Sequence, residues 1–161
     1  MKTTIITGLA FGALTLAGCS SGSSTANFCE AYDAFDETTA LESEAMTTIS
    51  DALSGGDVTV AELNDAGAAY LGEVEDIAET LNDMKGAAKD SEVKDALALL
   101  AKDGLDPLRE AAKVARDADD LATFSDDFFD AIGATSDEAA IDEASDTVDD
   151  YYSETCPAPS N

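Results

Sequence analysis

From Val60 to Met84 the chain places Val60, Leu63, Gly67, Tyr70, Val74, Ile77, Leu81 and Met84 at steps of 3, 4, 3, 4, 3, 4 and 3 residues. Such a seam lies along one side of an α-helix, and the period of two that a half-buried strand needs is absent. Thr59 with Glu62 three positions on makes a capping box, and Ser54-Gly55-Gly56-Asp57 before it is turn chemistry, so a helix is predicted over 59–86. The segment before it, 28–54, carries Phe28, Tyr32, Phe35, Met46, Ile49 and Leu53 on one face, weakening around Thr38, Thr39 and Glu42. A third arm, from Ser91 to Leu121, runs through Val93, Leu97, Leu100, Leu108, Ala111, Ala115 and Ala118, with Gly104 and Pro107 as interruptions. Asp106 before Pro107 reads there as a new N-cap, with proline at the first helical position. The fourth arm starts near Ser125, breaks at Gly133, restarts at a cap on Thr135 or Ser136, and reaches Cys156 with Ile141, Val148 and Tyr152 facing inward. The fold class is therefore all-α.

At 161 residues, 45% of them hydrophobic, the chain supplies one domain with one core. Its 35 Asp and Glu against 8 Lys and Arg give a formal charge of -27, which argues against nucleic acid and anionic lipid surfaces as partners. The sequence holds no histidine, which removes histidine-based triads, histidine zinc sites and proximal-histidine haem together. No cofactor is called for.

The N-terminus reads as an address. Lys2 is followed by an apolar run from Ile5 to Leu16, and no acid occurs before Glu30. A run of about a dozen residues is too short to span a bilayer, which takes roughly 20, and fits a secretory h-region. It ends in Leu16-Ala17-Gly18-Cys19, which resembles the lipobox of bacterial lipoproteins. That resemblance implies that residues 1–18 are a signal peptide and that Cys19 is lipidated and becomes the mature N-terminus. A diacylglyceryl group carries two chains, the condition for stable anchoring. Residues 19–27, with the run Ser20-Ser21-Gly22-Ser23-Ser24-Thr25, read as a flexible leash. Six residues at about 3.3 Å each reach at most ~20 Å, which keeps the folded part near the bilayer.

With Cys19 taken by lipid, Cys29 and Cys156 allow one pairing in an oxidising compartment. A bridge across 127 positions closes almost the whole of domain 28–156, leaving 157–161 as a tail, and stabilises it by about 4 to 5 kcal/mol in the chain-entropy model. Bridged cysteines need Cα atoms within about 7 Å, so the first arm must begin where the last one ends. An up-and-down bundle meets that condition only with an even number of arms. The expected architecture is a four-helix bundle with broken third and fourth arms. Phe28-Cys29 near the mature start, and Tyr151-Tyr152 with Cys156-Pro157 at the end, look like small actinobacterial lipoproteins whose helical domain is clamped by terminal cysteines. The resemblance implies a surface-exposed helical domain and assigns no chemistry.

Several constellations bear on function. Ser91-Glu92-Val93-Lys94 matches the S-x-x-K of serine β-lactamases, but no S-D-N or K-T-G accompanies it and Ser91 stands where a helix N-cap is needed. Asp117-Ala118-Asp119-Asp120 begins like a calcium loop but lacks the glycine and glutamate that shape an EF-hand. Glu138, Asp142, Asp146, Asp150 and Glu154 form a carboxylate ladder at i, i+4 spacing, a candidate for divalent cations or a basic partner against the simpler reading of a solvated face. All seven basic residues after Cys19 lie between Lys85 and Arg116, which makes the third arm the electrostatic partner of its neighbours. Phe28, Tyr32, Phe35, Tyr151 and Tyr152 should gather at the bridged end, and Phe124, Phe128 and Phe129 at the other. Adjacent Phe128 and Phe129 cannot both face inward, so one is a candidate for a partner patch.

These readings converge on a lipid-anchored, extracytoplasmic protein of the cell membrane, a non-catalytic binding or structural module with a basic or cell-envelope protein as partner. The alternative is an acidic surface protein that collects divalent cations. A hydrolase using paired carboxylates is a third reading for which no residues can be named.

Overall fold

Thr59 opens the longest helix as its spacing predicts: its backbone N–H donates to Glu62 Oε2 at 2.8 Å while its Oγ1 accepts from the Glu62 N–H at 3.3 Å. In this computed structural model, which describes residues 24–40, 43–133 and 138–156, the chain is helical. The elements are α1 (Ser24–Ala40), α2 (Glu44–Leu53), α3 (Val60–Ala87), α4 (Ser91–Leu99), a π-helical turn (Leu100–Gly104), α5 (Asp106–Arg116), α6 (Phe124–Gly133) and α7 (Glu138–Thr155). No strand occurs among the described residues. The expected signal peptide 1–18, Cys19, the first part of the expected leash, the expected caps at Thr135 and Ser136 and the expected tail 157–161 lie outside them.

Helix α3 is the element the others pack on. Its seam residues Leu63, Gly67, Val74, Leu81 and Met84 are buried, with Ala66 and Ala78 widening the stripe, while Val60, Tyr70 and Ile77 are half-buried at its edge. Where the sequence suggests a single core, two apolar clusters form along it. One gathers Phe28 of α1, Leu81 and Met84 of α3, Val93 and Leu97 of α4 and Val148 of α7. The other gathers Ile49 of α2, Leu63 of α3, Ala111 and Ala115 of α5, and Phe124 and Phe128 of α6. Tyr70 touches both. Each of the large side chains so buried contributes about 1.5–3 kcal/mol.

At Gly67 the α3 and α5 backbones come into contact. A Cβ there would lie 2.7 Å from the carbonyl carbon of Ala115 and 2.8 Å from Cα of Arg116, closer than real Cβ atoms come. One turn earlier Asn64 Nδ2 donates to the carbonyls of Ala115, Arg116 and Ala118 at 3.2, 2.6 and 3.1 Å. A helix leaves its last carbonyls without partners, and Asn64 reaches two of those that end α5, on Ala115 and Arg116, while the Lys113 carbonyl accepts from the Asp117 N–H.

Several local expectations are corrected. The first arm divides, with Ser43 capping α2 by accepting from the Met46 N–H at 3.3 Å. Helix α1 begins at Ser24, so residues 24–27 are helical rather than leash, and Lys89 Nζ reaches Thr25 Oγ1 at 3.1 Å. The cap of α4 is Asp90, not Ser91: its Oδ1 accepts from the Glu92 N–H at 2.8 Å, and a carboxylate also suits the positive end of the helix. Gly104 does not break the third arm. The chain widens there into the π turn and continues, so Asp106 is already helical and does not cap; its carboxylate instead accepts from Arg109 Nη1 at 2.9 Å. Helix α5 ends at Arg116, short of Leu121, which is exposed.

Candidate functional site

Cys29 of α1 and Cys156, just beyond α7, are disulfide-bonded with Cα atoms 5.7 Å apart, closing 127 positions of chain. One turn inward from the bridge, Tyr32 of α1 and Tyr152 of α7 stack with ring centroids 3.9 Å apart and 18° between planes. Tyr32 Oη donates to Asp149 Oδ1 at 2.7 Å, and Tyr152 Oη donates to Asp33 Oδ1 at 2.6 Å. Each hydroxyl thus crosses to the opposite helix. Burial, and then the bond to Asp149, push the Tyr32 phenol well above its usual range; the bond to Asp33 is the first cause of the rise at Tyr152. Phe28 packs edge-on against Tyr151 at 4.9 Å beneath this brace. The sequence placed these rings at the bridged end, where they are, but missed the reciprocal hydrogen bonds. The available signal was a mirrored pattern, Cys29-x-x-Tyr32-Asp33 against Asp149-x-x-Tyr152-x-x-x-Cys156.

Beside the brace lies an apolar cavity of about 200 Å³. Tyr32 and Phe35 of α1 form one wall, and Ile77, Leu81 and Met84 of α3 form the floor. Leu100, Gly104 and Leu105 at the π turn, with Leu108 of α5, close a third side, and Ser145, Val148 and Asp149 of α7 the fourth. Among these lining residues Asp149 alone is charged. π-Helical turns often accompany functional sites, and this one is held by Arg109, whose Nη1 donates to the Ala101 carbonyl at 3.2 Å while Nε pairs with Glu75 of α3 at 2.9 Å. Sequence periodicity carries no signal for such a space.

At the other pole Phe128 is 3% exposed and Phe129 57%, so adjacent phenylalanines do face opposite ways and Phe129 is the outward one. Asp126, Asp127 and Asp130 on the same helix are exposed. The ladder residues Glu138, Asp142, Asp146, Asp150 and Glu154 are all exposed on α7, opposite buried Ala144 and Val148. Among the described residues no three metal-ligating side chains converge. The basic third arm pairs largely within itself. Lys102 with Asp103, Arg109 with Asp106, Lys113 with Glu110 and Arg116 with Asp117 stay within that arm, whereas Arg109–Glu75 joins two helices. Ser91 is exposed at the first position of α4. No helix among the described residues is long and apolar enough to cross a membrane. No protein-family model matches the chain, nor does any curated protein or solved structure resemble it significantly.

Proposed function

We propose that this chain is a lipid-anchored module of the cell envelope, tethered through Cys19 on the extracytoplasmic side of the membrane, that binds a partner rather than catalysing a reaction. The Cys29–Cys156 bridge carries the reading, because such bonds persist in oxidising compartments and are rare where thiols are kept reduced. The bridge also sets the start of α1 beside the end of α7, a few residues from the proposed anchor. The pole that carries Phe129 is then the one directed away from the membrane.

The finer architecture belongs to the same proposal. Taken as four arms, α1–α2, α3, α4–α5 and α6–α7, the helices form an up-and-down bundle. What supports this is that each arm contributes to both cores: α1 and α2, α4 and α5, and α7 and α6 supply the bridged and far cores respectively, while α3 runs through both. In this reading an exposed phenylalanine among aspartates suits a partner surface that is apolar and basic.

The test is Cys19→Ala. The wild-type protein should enter the detergent phase on phase partitioning of cell extracts, and the variant should remain aqueous or unprocessed. Detergent-phase partitioning of a Cys19→Ala chain already cleaved to mature size, equal to that of wild type, would overturn the anchor.

A further inference from the structure

We propose that the cavity between α1, α3, the π turn and α7 binds a small hydrophobic amine, with its apolar body inside and its ammonium group at Asp149. This goes beyond the anchored envelope module and holds whether or not Cys19 carries lipid.

Three observations select that ligand class. The first is the lining: apolar side chains from three directions give a surface that water wets poorly and hydrocarbon fills well. The second is size. An engineered cavity of about 150 Å³ takes up a benzene ring, so the space of about 200 Å³ here accepts one ring or a chain of about six carbons, not a long acyl chain. The third is charge. Asp149 is exposed at the cavity edge and already fixed at Oδ1 by the Tyr32 hydroxyl, 2.7 Å away. A carboxylate accepts several hydrogen bonds, and Ser145 beside it offers a hydroxyl oxygen. Asp36 of α1 adds a second negative charge close enough to act on Tyr32, and the chain as a whole carries -27. An anionic amphiphile of equal size would meet like charge at the rim; an ammonium group meets its complement.

The experiment is calorimetric titration of the purified, oxidised full chain with n-alkylammonium ions from propyl to octyl and with n-alkylsulfates of the same lengths. Affinity for the amines should rise about fourfold per methylene and level off near six carbons as the cavity fills. The sulfates should bind at least about tenfold more weakly. Asp149→Asn, which keeps an acceptor for Tyr32, should remove most of that difference while leaving the dependence on chain length. Leu100→Trp should abolish amine binding by filling the space; Leu108→Phe provides a second filling variant should the first not fold. Amine affinity without dependence on length, sulfates binding as tightly as amines, or undiminished binding to a folded filling variant would each overturn the proposal. None of these outcomes bears on partitioning of Cys19→Ala.

Discussion

Tyr32 and Tyr152 stack 3.9 Å apart, and each donates its hydroxyl to an aspartate on the other's helix. With the disulfide one turn away, α1 and α7 are joined by a covalent bond, a ring stack and two charge-assisted hydrogen bonds within a few residues. The phenols of Tyr32 and Tyr152 are both raised, as burial raises that of Tyr70, so the folded chain keeps these protons to higher pH than the unfolded one does. The sign follows: the brace contributes fully below the unfolded tyrosine value of about 10, and that contribution is lost as pH rises through the folded values. Tyr32→Phe should cost about 1 kcal/mol at neutral pH. It should also make the decline of stability above about pH 10 shallower. Urea melts of both proteins across that range check this; parallel pH profiles would exclude a titrating brace.

The bridge restrains nearly the whole domain, so its loss acts mainly on the unfolded chain. Cys29→Ser with Cys156→Ser should lower stability by up to about 4 to 5 kcal/mol, the loop-entropy estimate for a closure of 127 positions. Labelling of the oxidised protein without reductant should find neither thiol. Modification of both would show the pair to be open in solution.

Two glycines of α3 make opposite predictions. Gly67→Ala forces a Cβ against the backbone of Ala115 and Arg116, where no flexible side chain can yield, so α3 and α5 must part. Overpacking of this kind costs about 1–3 kcal/mol, enough to outweigh the gain in helix propensity. At Gly72 a Cβ meets no heavy atom within 4 Å, and Gly72→Ala should stabilise by roughly 0.5–1 kcal/mol. Thermal melts of the two variants should move in opposite directions; a rise for Gly67→Ala would contradict the close crossing.

The contrast between those glycines also shows what the sequence could reveal. The seam containing Gly67 was legible because α3 is one unbroken helix whose buried positions keep a single period, and its capping box is a local signal. The bridge was legible by arithmetic, and the opposed faces of Phe128 and Phe129 by geometry alone. The π turn was not, because Gly104 and Pro107 read locally as breakers, and Arg109, anchored on Glu75 of another helix, holds the widened turn. Nor were the aspartates of the brace, since Asp33 and Asp149 are two among 35 acidic residues and acquire a role only when α1 and α7 meet. The cavity depends on how four elements fail to close, which no single helical period encodes.

The far pole offers a test that separates stability from binding. Phe128 is 3% exposed and packs 5.4 Å from Phe124 (the distance of Phe124–Phe128 ring centroids), so Phe128→Ala should cost about 3–5 kcal/mol by leaving a cavity. Phe129 is 57% exposed, and Phe129→Ala should change stability by less than about 0.5 kcal/mol. If this pole holds the proposed apolar and basic partner, crosslinking on intact cells should capture a protein with wild-type chain and lose it with Phe129→Ala, although the melting temperature is kept. Exposed Asp126, three positions before Phe129, and Asp130, next to it, lie on the same helix, so the same capture should weaken with added salt, which screens exposed charges within a Debye length of about 8 Å at 0.15 M. Capture that survives Phe129→Ala at low and high salt alike would move the partner surface away from α6.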